Sequence, residues 1–314
     1  PIASLVLIRI NGGTAMMRIL GIVGVQVCIC VPIIVFQFCK GKEFFSKEYW
    51  GYALRIGIPI VPHYLSGIIL NQGDRIMIDK MVGKTEVALY GLAYSIGMLV
   101  QLFISGMNSA LTPWMYSKIK KGDIRSMRKV LQLLSIVVVG IAVALMLISP
   151  EMVLIFGSPK YREAVYVIPP VAASVFFIFI YNILSMPQFY YEKTQFLMAA
   201  SMAAAGANVV LNFIFIRLFG YIAAGYTTLA CYMLYSVGHY IVSKQILVNE
   251  GIQENLMNPG FLLACSVFLI GASIICNLIF PYRILRYAIL LASAGLVFWK
   301  KELLLKTMAD IRKK

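Results

Sequence analysis

RIGIPIVPHYLSGIILNQGDRIMIDKMVG, residues 55–83, is apolar and long enough to cross a bilayer, yet it carries Asp74, Arg75 and Asp79 within a few positions. One ionised side chain near a bilayer centre costs roughly 2.5–3.5 kcal/mol on insertion scales. Three together oppose insertion unless they face other helices, a wet cavity or one another. Such residues are therefore candidate functional residues, and the rest of the chain must say for what.

The 314 residues are 61% hydrophobic and 13% charged, against roughly 25% charged in a soluble domain. The mean hydropathy is +0.84. These values predict an all-α, polytopic membrane helix bundle. The net charge of +15 does not point to nucleic acid, because no basic domain stands outside the apolar runs and basic loops are normal for membrane proteins. Cys28, Cys30, Cys39, Cys231, Cys265 and Cys276 lie in or beside apolar runs without zinc-type spacing, so they read as small hydrophobes. Residue 1 is Pro, and PIASLVLIRING reads as the end of a span already under way. A chain lacking its N-terminal part is expected.

A spanning helix needs about 20 apolar residues. Nine runs qualify: 19–39, 56–81, 88–117, 130–156, 165–190, 195–216, 221–243, 260–280 and 282–299. The last begins with Arg283 and Arg286, which are expected to snorkel to the interface. Counting Lys and Arg at alternate ends gives 18 on the side of the 40–55, 118–129 and 300–314 segments and 9 on the other. The excess places those three segments, and the C-terminus, in the cytoplasm. Segment 40–55 mixes charges with Phe44, Phe45, Tyr49 and Trp50 and suits either an interfacial helix or a linker. Segment 244–259 reads as a cytoplasmic loop.

The polar residues within spans are ordered. His63, Gly67, Asn71 and Asp74 fall within about 80° of one another on a helix. Arg75 and Asp79, four apart, can pair on its flank. On the next span Tyr90, Tyr94, Gln101, Ser105, Asn108 and Thr112 share a face about 60° wide. Weaker echoes are Thr228, Tyr232, Tyr235 and His239; Tyr181, Ser185 and Gln188; and the pair Asn208 and Asn212. His239 reads as interfacial. The spans 260–280 and 282–299 carry no stripe and are expected at the periphery. Interhelical hydrogen bonding would account for an isolated Asn or Ser. Two charged or Tyr-rich stripes on successive helices point instead to a shared wet cavity.

Enzyme signatures are missing from the sequence. There is no phosphate-cradling GxxxxGK[ST] run, no HExxH and no G-x-S-x-G. With His63 and His239 as the sole histidines, no His-rich centre can form. No catalytic residue, metal or cofactor is expected.

The run from Tyr52 to Asp123 resembles the seventh and eighth helices of bacterial polysaccharide-repeat (Wzx-type) flippases of the multidrug/oligosaccharidyl-lipid/polysaccharide exporter superfamily. The resembling residues are Arg55-Ile56-Gly57-Ile58-Pro59, the Asp74-Arg75 pair, Tyr90-Gly91-Leu92-Ala93-Tyr94 and the basic end at Lys118 to Lys121. The resemblance implies two six-helix lobes around a cavity. On that plan residues 1–39 end the first lobe, 40–55 link, 56–243 form the second lobe, 260–299 add a helix pair, and 300–314 form a basic tail. It implies a multi-pass protein of the bacterial inner membrane, serving O-antigen, lipopolysaccharide or other surface polysaccharide synthesis. Its cargo would be an isoprenoid-diphosphate-linked oligosaccharide, turned from the cytoplasmic to the outer leaflet. Membrane lipids, polysaccharide polymerase and other glycan-assembly proteins are the implied partners.

Within that resemblance Arg75 would bind the diphosphate bidentately, and Asp74 or Asp79 would hold Arg75 or carry a coupling proton. The cavity candidates are Asp74, Arg75, Asn71, His63, Tyr90, Tyr94, Gln101 and Asn108. A flippase for a lipid-linked peptidoglycan precursor and a cation-coupled multidrug antiporter remain alternatives.

Overall fold

The computed structural model describes residues 6–9, 15–42 and 45–299. Phe44, the opening and 10–14 segments, and the basic 300–314 tail lie outside the described residues. The helices are α1 (Ala15–Gly41), α2 (Lys47–Met81), α3 (Lys84–Gly97), α4 (Leu99–Lys120), α5 (Ile124–Phe156), α6 (Ile168–Tyr190), α7 (Thr194–Phe219), α8 (Ala223–Asn249), α9 (Pro259–Ile279) and α10 (Arg283–Trp299). A 3-10 helix, Pro159–Val167, precedes α6. No strand occurs among the described residues. The chain is an all-α polytopic membrane bundle.

Contacts divide it into two units, Pro1–Arg55 and Ile56–Lys314. In the first, α1 is apolar and exposed along nearly its whole length, with Ile29 and Phe36 more than half uncovered. That is the surface of a helix suited to lipid. The expected start of the second span at residue 56 falls inside α2, which begins at Lys47.

In the second unit α6 is the axis. It is buried almost continuously from Ile168 to Gln188. The stretch IPPVAASVFFIFI is apolar on every side, which suits enclosure by other helices as well as contact with lipid, and here the neighbouring helices enclose it. Its few polar groups satisfy themselves locally: Ser174 Oγ donates to the Val171 carbonyl at 2.6 Å and Asn182 Nδ2 to the Ile178 carbonyl at 2.8 Å. Packed on this axis, α5 buries Met127, Leu131, Val138 and Met146, and α8 buries Leu229 and Cys231.

Short turns set the neighbours. Between α2 and α3 the Gly83 amide donates to the Ile78 carbonyl at 3.0 Å. The φ of Gly83 is +157°, where a side chain would be strained. This turn lays α3 back along α2. Between α4 and α5, Asp123 caps α5 by accepting from the Ser126 amide. Lys118 Nζ, buried, donates to Asp123 Oδ2 at 2.5 Å and Ser126 Oγ at 3.2 Å.

Several expectations need correction. The expected spans 221–243 and 282–299 form helices α8 and α10, and seven segments of the described residues are long and apolar enough to cross a membrane by length and composition. α8 is not among them, because its polar face is turned inward rather than replaced by apolar residues. α10 has 17 described residues. The expected 88–117 span is one apolar stretch, Lys84–Lys120, whose helix is interrupted at Met98 between α3 and α4. A Cβ on Gly97 would lie 2.6 Å from Val171 Cγ1 and 2.9 Å from its Cβ, so α3 passes α6 too closely for any side chain. Gly97→Ala is expected to destabilise by about 1–2 kcal/mol through overpacking against a stiff β-branched residue, read as a lower unfolding temperature in detergent. The expected 244–259 loop is helical as far as Asn249.

Of the last two helices, α9 lies where it is expected and α10 departs from expectation at Arg286. α9 is peripheral, burying Leu269, Ser273 and Cys276 alone. Arg286 of α10 does not snorkel: it is 2% exposed. Its Nη1 and Nη2 donate to the two carboxylate oxygens of Glu151 at 2.7 and 2.8 Å, and Nη1 also donates to the Leu147 carbonyl at 2.6 Å. Glu151 is turned inward on α5 and holds the guanidinium there.

Candidate functional site: a buried carboxylate behind a tyrosine-lined cleft

Asp74 has no exposed surface. Four helices meet at its carboxylate. Oδ2 accepts from Tyr90 Oη of α3 at 2.5 Å and from Thr228 Oγ1 of α8 at 2.7 Å. Oδ1 accepts from Asn212 Nδ2 of α7 at 2.5 Å. Asn212 Nδ2 also reaches Asn208 Oδ1 at 3.2 Å, and Asn212 Oδ1 accepts from Thr227 Oγ1. Charge-assisted hydrogen bonds are about twice as strong as neutral ones, and a buried carboxylate survives in a protein when so surrounded.

The expectation that Asp74 faces the cavity is therefore incorrect. It shares a helix face with His63 and Asn71, but α3, α7 and α8 cover it. Its neighbours offer amide and hydroxyl oxygens as well as donors, so the knot has the chemistry to take up a proton or a small hard cation. Among the described residues no cluster of three His, Cys, Asp or Glu side chains exists.

One to three turns back along α2 the stripe opens into a cleft of about 670 Å³ between α2, α3, α4, α6 and α8. Asn71 holds its edge: its Oδ1 accepts from Tyr94 Oη at 2.7 Å and Tyr232 Oη at 3.3 Å. His63 Nδ1 lies 3.1 Å from Tyr235 Oη. Tyr181 stacks on Tyr232 with ring centres 6.2 Å apart, and on Tyr235 at 4.4 Å. Gln72, Gln101, Asn182 and Ser185 complete the polar wall, with Tyr64 and Phe189 beside them. No Lys, Arg, Asp or Glu lines it.

The sequence candidates thus separate. His63, Asn71, Tyr94 and Gln101 line the cleft; Tyr90 and Asp74 form the knot behind it. Asn108 reaches neither: it lies further along α4, its Oδ1 buried without a partner. Ser105 and Thr112 bond to carbonyls of their own helix, so the second stripe serves the cleft over its first half alone.

Arg75 and Asp79 do not pair. Arg75 Nη1 donates to Gln72 Oε1 at 2.8 Å, and its Cζ lies 5.3 Å from the centre of the Tyr94 ring. Its Nε is buried without a partner. Asp79 is exposed near the end of α2. The four-residue spacing permits an ion pair, but the Tyr94 face offers the guanidinium a closer and less hydrated seat. Arg75 therefore stands one residue behind the cleft wall.

His239 is not interfacial. It is fully buried and its Nδ1 meets Gln188 Nε2 at 2.8 Å. Asn212, Thr228, Tyr232, Tyr235 and Tyr181 were visible as faint polar spacings on later helices. Gln72, Asn182 and Thr227 gave no periodic signal. Tyr94→Phe removes one donor to Asn71 and is expected to cost about 1 kcal/mol of stability, measured by thermal unfolding in detergent.

Comparison with known proteins adds a similarity to one family. Residues 2–120 match the model of a family described as polysaccharide biosynthesis protein. That segment holds α2 to α4, and so His63, Asn71, Asp74, Tyr90 and Tyr94. An Lsg locus protein of Haemophilus influenzae is 28% identical over 172 residues, covering 51% of this chain and 41% of the relative. An uncharacterized membrane protein of the same organism is 29% identical over 191 residues, covering 57% and 46%. The chain spans less than half the length of these curated relatives. No solved structure matches it. Over its first 120 residues, this multi-pass membrane chain is similar to the polysaccharide biosynthesis protein family.

Proposed function

We propose that the chain is the C-terminal portion of a flippase that turns an isoprenoid-diphosphate-linked oligosaccharide from the cytoplasmic to the outer leaflet for surface polysaccharide synthesis. The observation that carries this reading is the uncharged cleft of tyrosines and amides among membrane-crossing helices. A sugar offers hydroxyls to Asn71, Gln72, Gln101 and Asn182, and apolar ring faces to Tyr181 and Tyr235. A hydrophobic tail needs no such wall. The diphosphate lies beside Arg75, the cation closest behind the wall, and residues 56–243 serve as the second lobe.

Asp74 is the coupling group in this scheme. Proton uptake there cancels the charge that strengthens the bonds from Tyr90, Thr228 and Asn212, and so loosens α2 from α3, α7 and α8. The absence of any carboxylate in the cleft wall disfavours a cationic drug as cargo.

The test is complementation of a strain lacking its own polysaccharide-repeat flippase, using the full-length protein. Asn71→Ala combined with Gln101→Ala is expected to lower surface polysaccharide at least about tenfold, a loss of about 1.4 kcal/mol in productive binding, at unchanged membrane level. Unaltered polysaccharide would reject the cleft as the sugar path. Peptidoglycan-precursor transport by the same protein would favour the sister reading.

A further inference from the structure

A second cavity lies apart from the cleft. It measures about 830 Å³ and lies at the far end of α5, between the 3-10 helix and the turn joining α9 to α10. Its walls come from residues 150–166 and 280–286. Those segments are where three membrane-crossing stretches end or begin, at Phe156, Pro159 and Ile279. The cavity therefore stands at the level of a bilayer surface, where lipid phosphates lie.

Its chemistry is opposite to that of the cleft. Arg286 and Glu151 line it but are committed to each other. What remains is Lys160, Arg162 and Arg283 against Glu163, all exposed. None of the four enters an ion pair among the described residues. Its apolar lining includes Val153, Val165 and Phe280, all buried, and Leu154, which is exposed. Pro150, Pro159 and Pro281 frame it and limit how far the backbone can relax. A cationic rim over an apolar lining at a membrane surface matches a molecule with a phosphate at one end and hydrocarbon at the other.

We propose that this cavity binds the head group of an anionic glycerophospholipid, its phosphate among Lys160, Arg162 and Arg283 and the start of its acyl chains on Leu154 and Phe280. The Arg286–Glu151 pair fixes the α10 side of the cavity and so spaces Arg283 from the 3-10 helix. The inference stands apart from the flippase reading, since it shares no residue with the cleft.

The experiment uses the full-length protein in detergent, with bound lipid counted by native mass spectrometry. Phosphatidylglycerol is expected to be retained and phosphatidylcholine not. Arg162→Glu with Arg283→Glu should weaken phosphatidylglycerol retention at least about tenfold and remove its sensitivity to salt. Both side chains are exposed, so the fold should persist. Arg125→Glu with Lys129→Glu, exposed cations at the other end of α5, should change nothing. Equal retention of the two lipids, equal effects of the two double variants, or retention of polyprenyl diphosphate alone would each overturn the proposal.

Discussion

Asp74→Ala is expected to destabilise the protein by up to about 3 kcal/mol, because Tyr90, Thr228 and Asn212 each lose the acceptor they point at at about 1 kcal/mol per stranded buried donor. The hydroxyls can turn to backbone carbonyls, which limits the loss. The Asn212 amide also reaches Asn208 Oδ1 and so retains one acceptor. Asp74→Asn has the same shape and keeps one acceptor oxygen, so its cost should be about 1 kcal/mol. Unfolding in detergent, followed for both variants, measures the difference. If Asp74 couples ion uptake to movement, Asp74→Asn should also remove polysaccharide complementation at nearly normal stability. Normal export by that variant would reject the coupling role and leave the structural one.

Glu151→Ala is the second large effect, expected at about 3 kcal/mol. It leaves the Arg286 guanidinium, 2% exposed, with the Leu147 carbonyl and no counter-charge. Removing one partner of a buried ion pair costs about 3–5 kcal/mol. Glu151 is 23% exposed, which puts this pair at the low end. Tyr287 Oη, which donates to Glu151 Oε1 at 2.9 Å, loses its partner as well. The double replacement Glu151→Leu with Arg286→Met should recover most of the loss, since an apolar pair of similar volume carries no stranded charge. A double variant no more stable than Glu151→Ala would show that the charge itself was not the cost.

Much of the site can be read from residues 55–94, because helical spacing alone puts His63, Asn71 and Asp74 on one face and the turn at Gly83 brings Tyr90 and Tyr94 against it. What spacing cannot tell is which of three residues on a face looks outward. Asp74 is hidden by Asn212 and Thr228, which stand 138 and 154 positions along the chain. The close approach at Gly97 is hidden for the same reason: the atoms that leave no room for a Cβ there belong to Val171, on a helix two spans away. Arg75 and Asp79 have the spacing of an ion pair, yet an aromatic face from the neighbouring helix competes better than a carboxylate in water. Composition was a safe guide to the class. α8 hides its polar residues inside the bundle, so its average apolarity understates how deeply it is buried.

The meeting of four helices at one carboxylate has an evolutionary consequence. Tyr90, Asn212 and Thr228 are each complementary to the same two oxygens, so a change at one alters the value of the others. Their substitution effects should depart from additivity. Lineages that lose the acid at this position are expected to have lost its donors too, and the four positions should be inherited as a single character rather than as four.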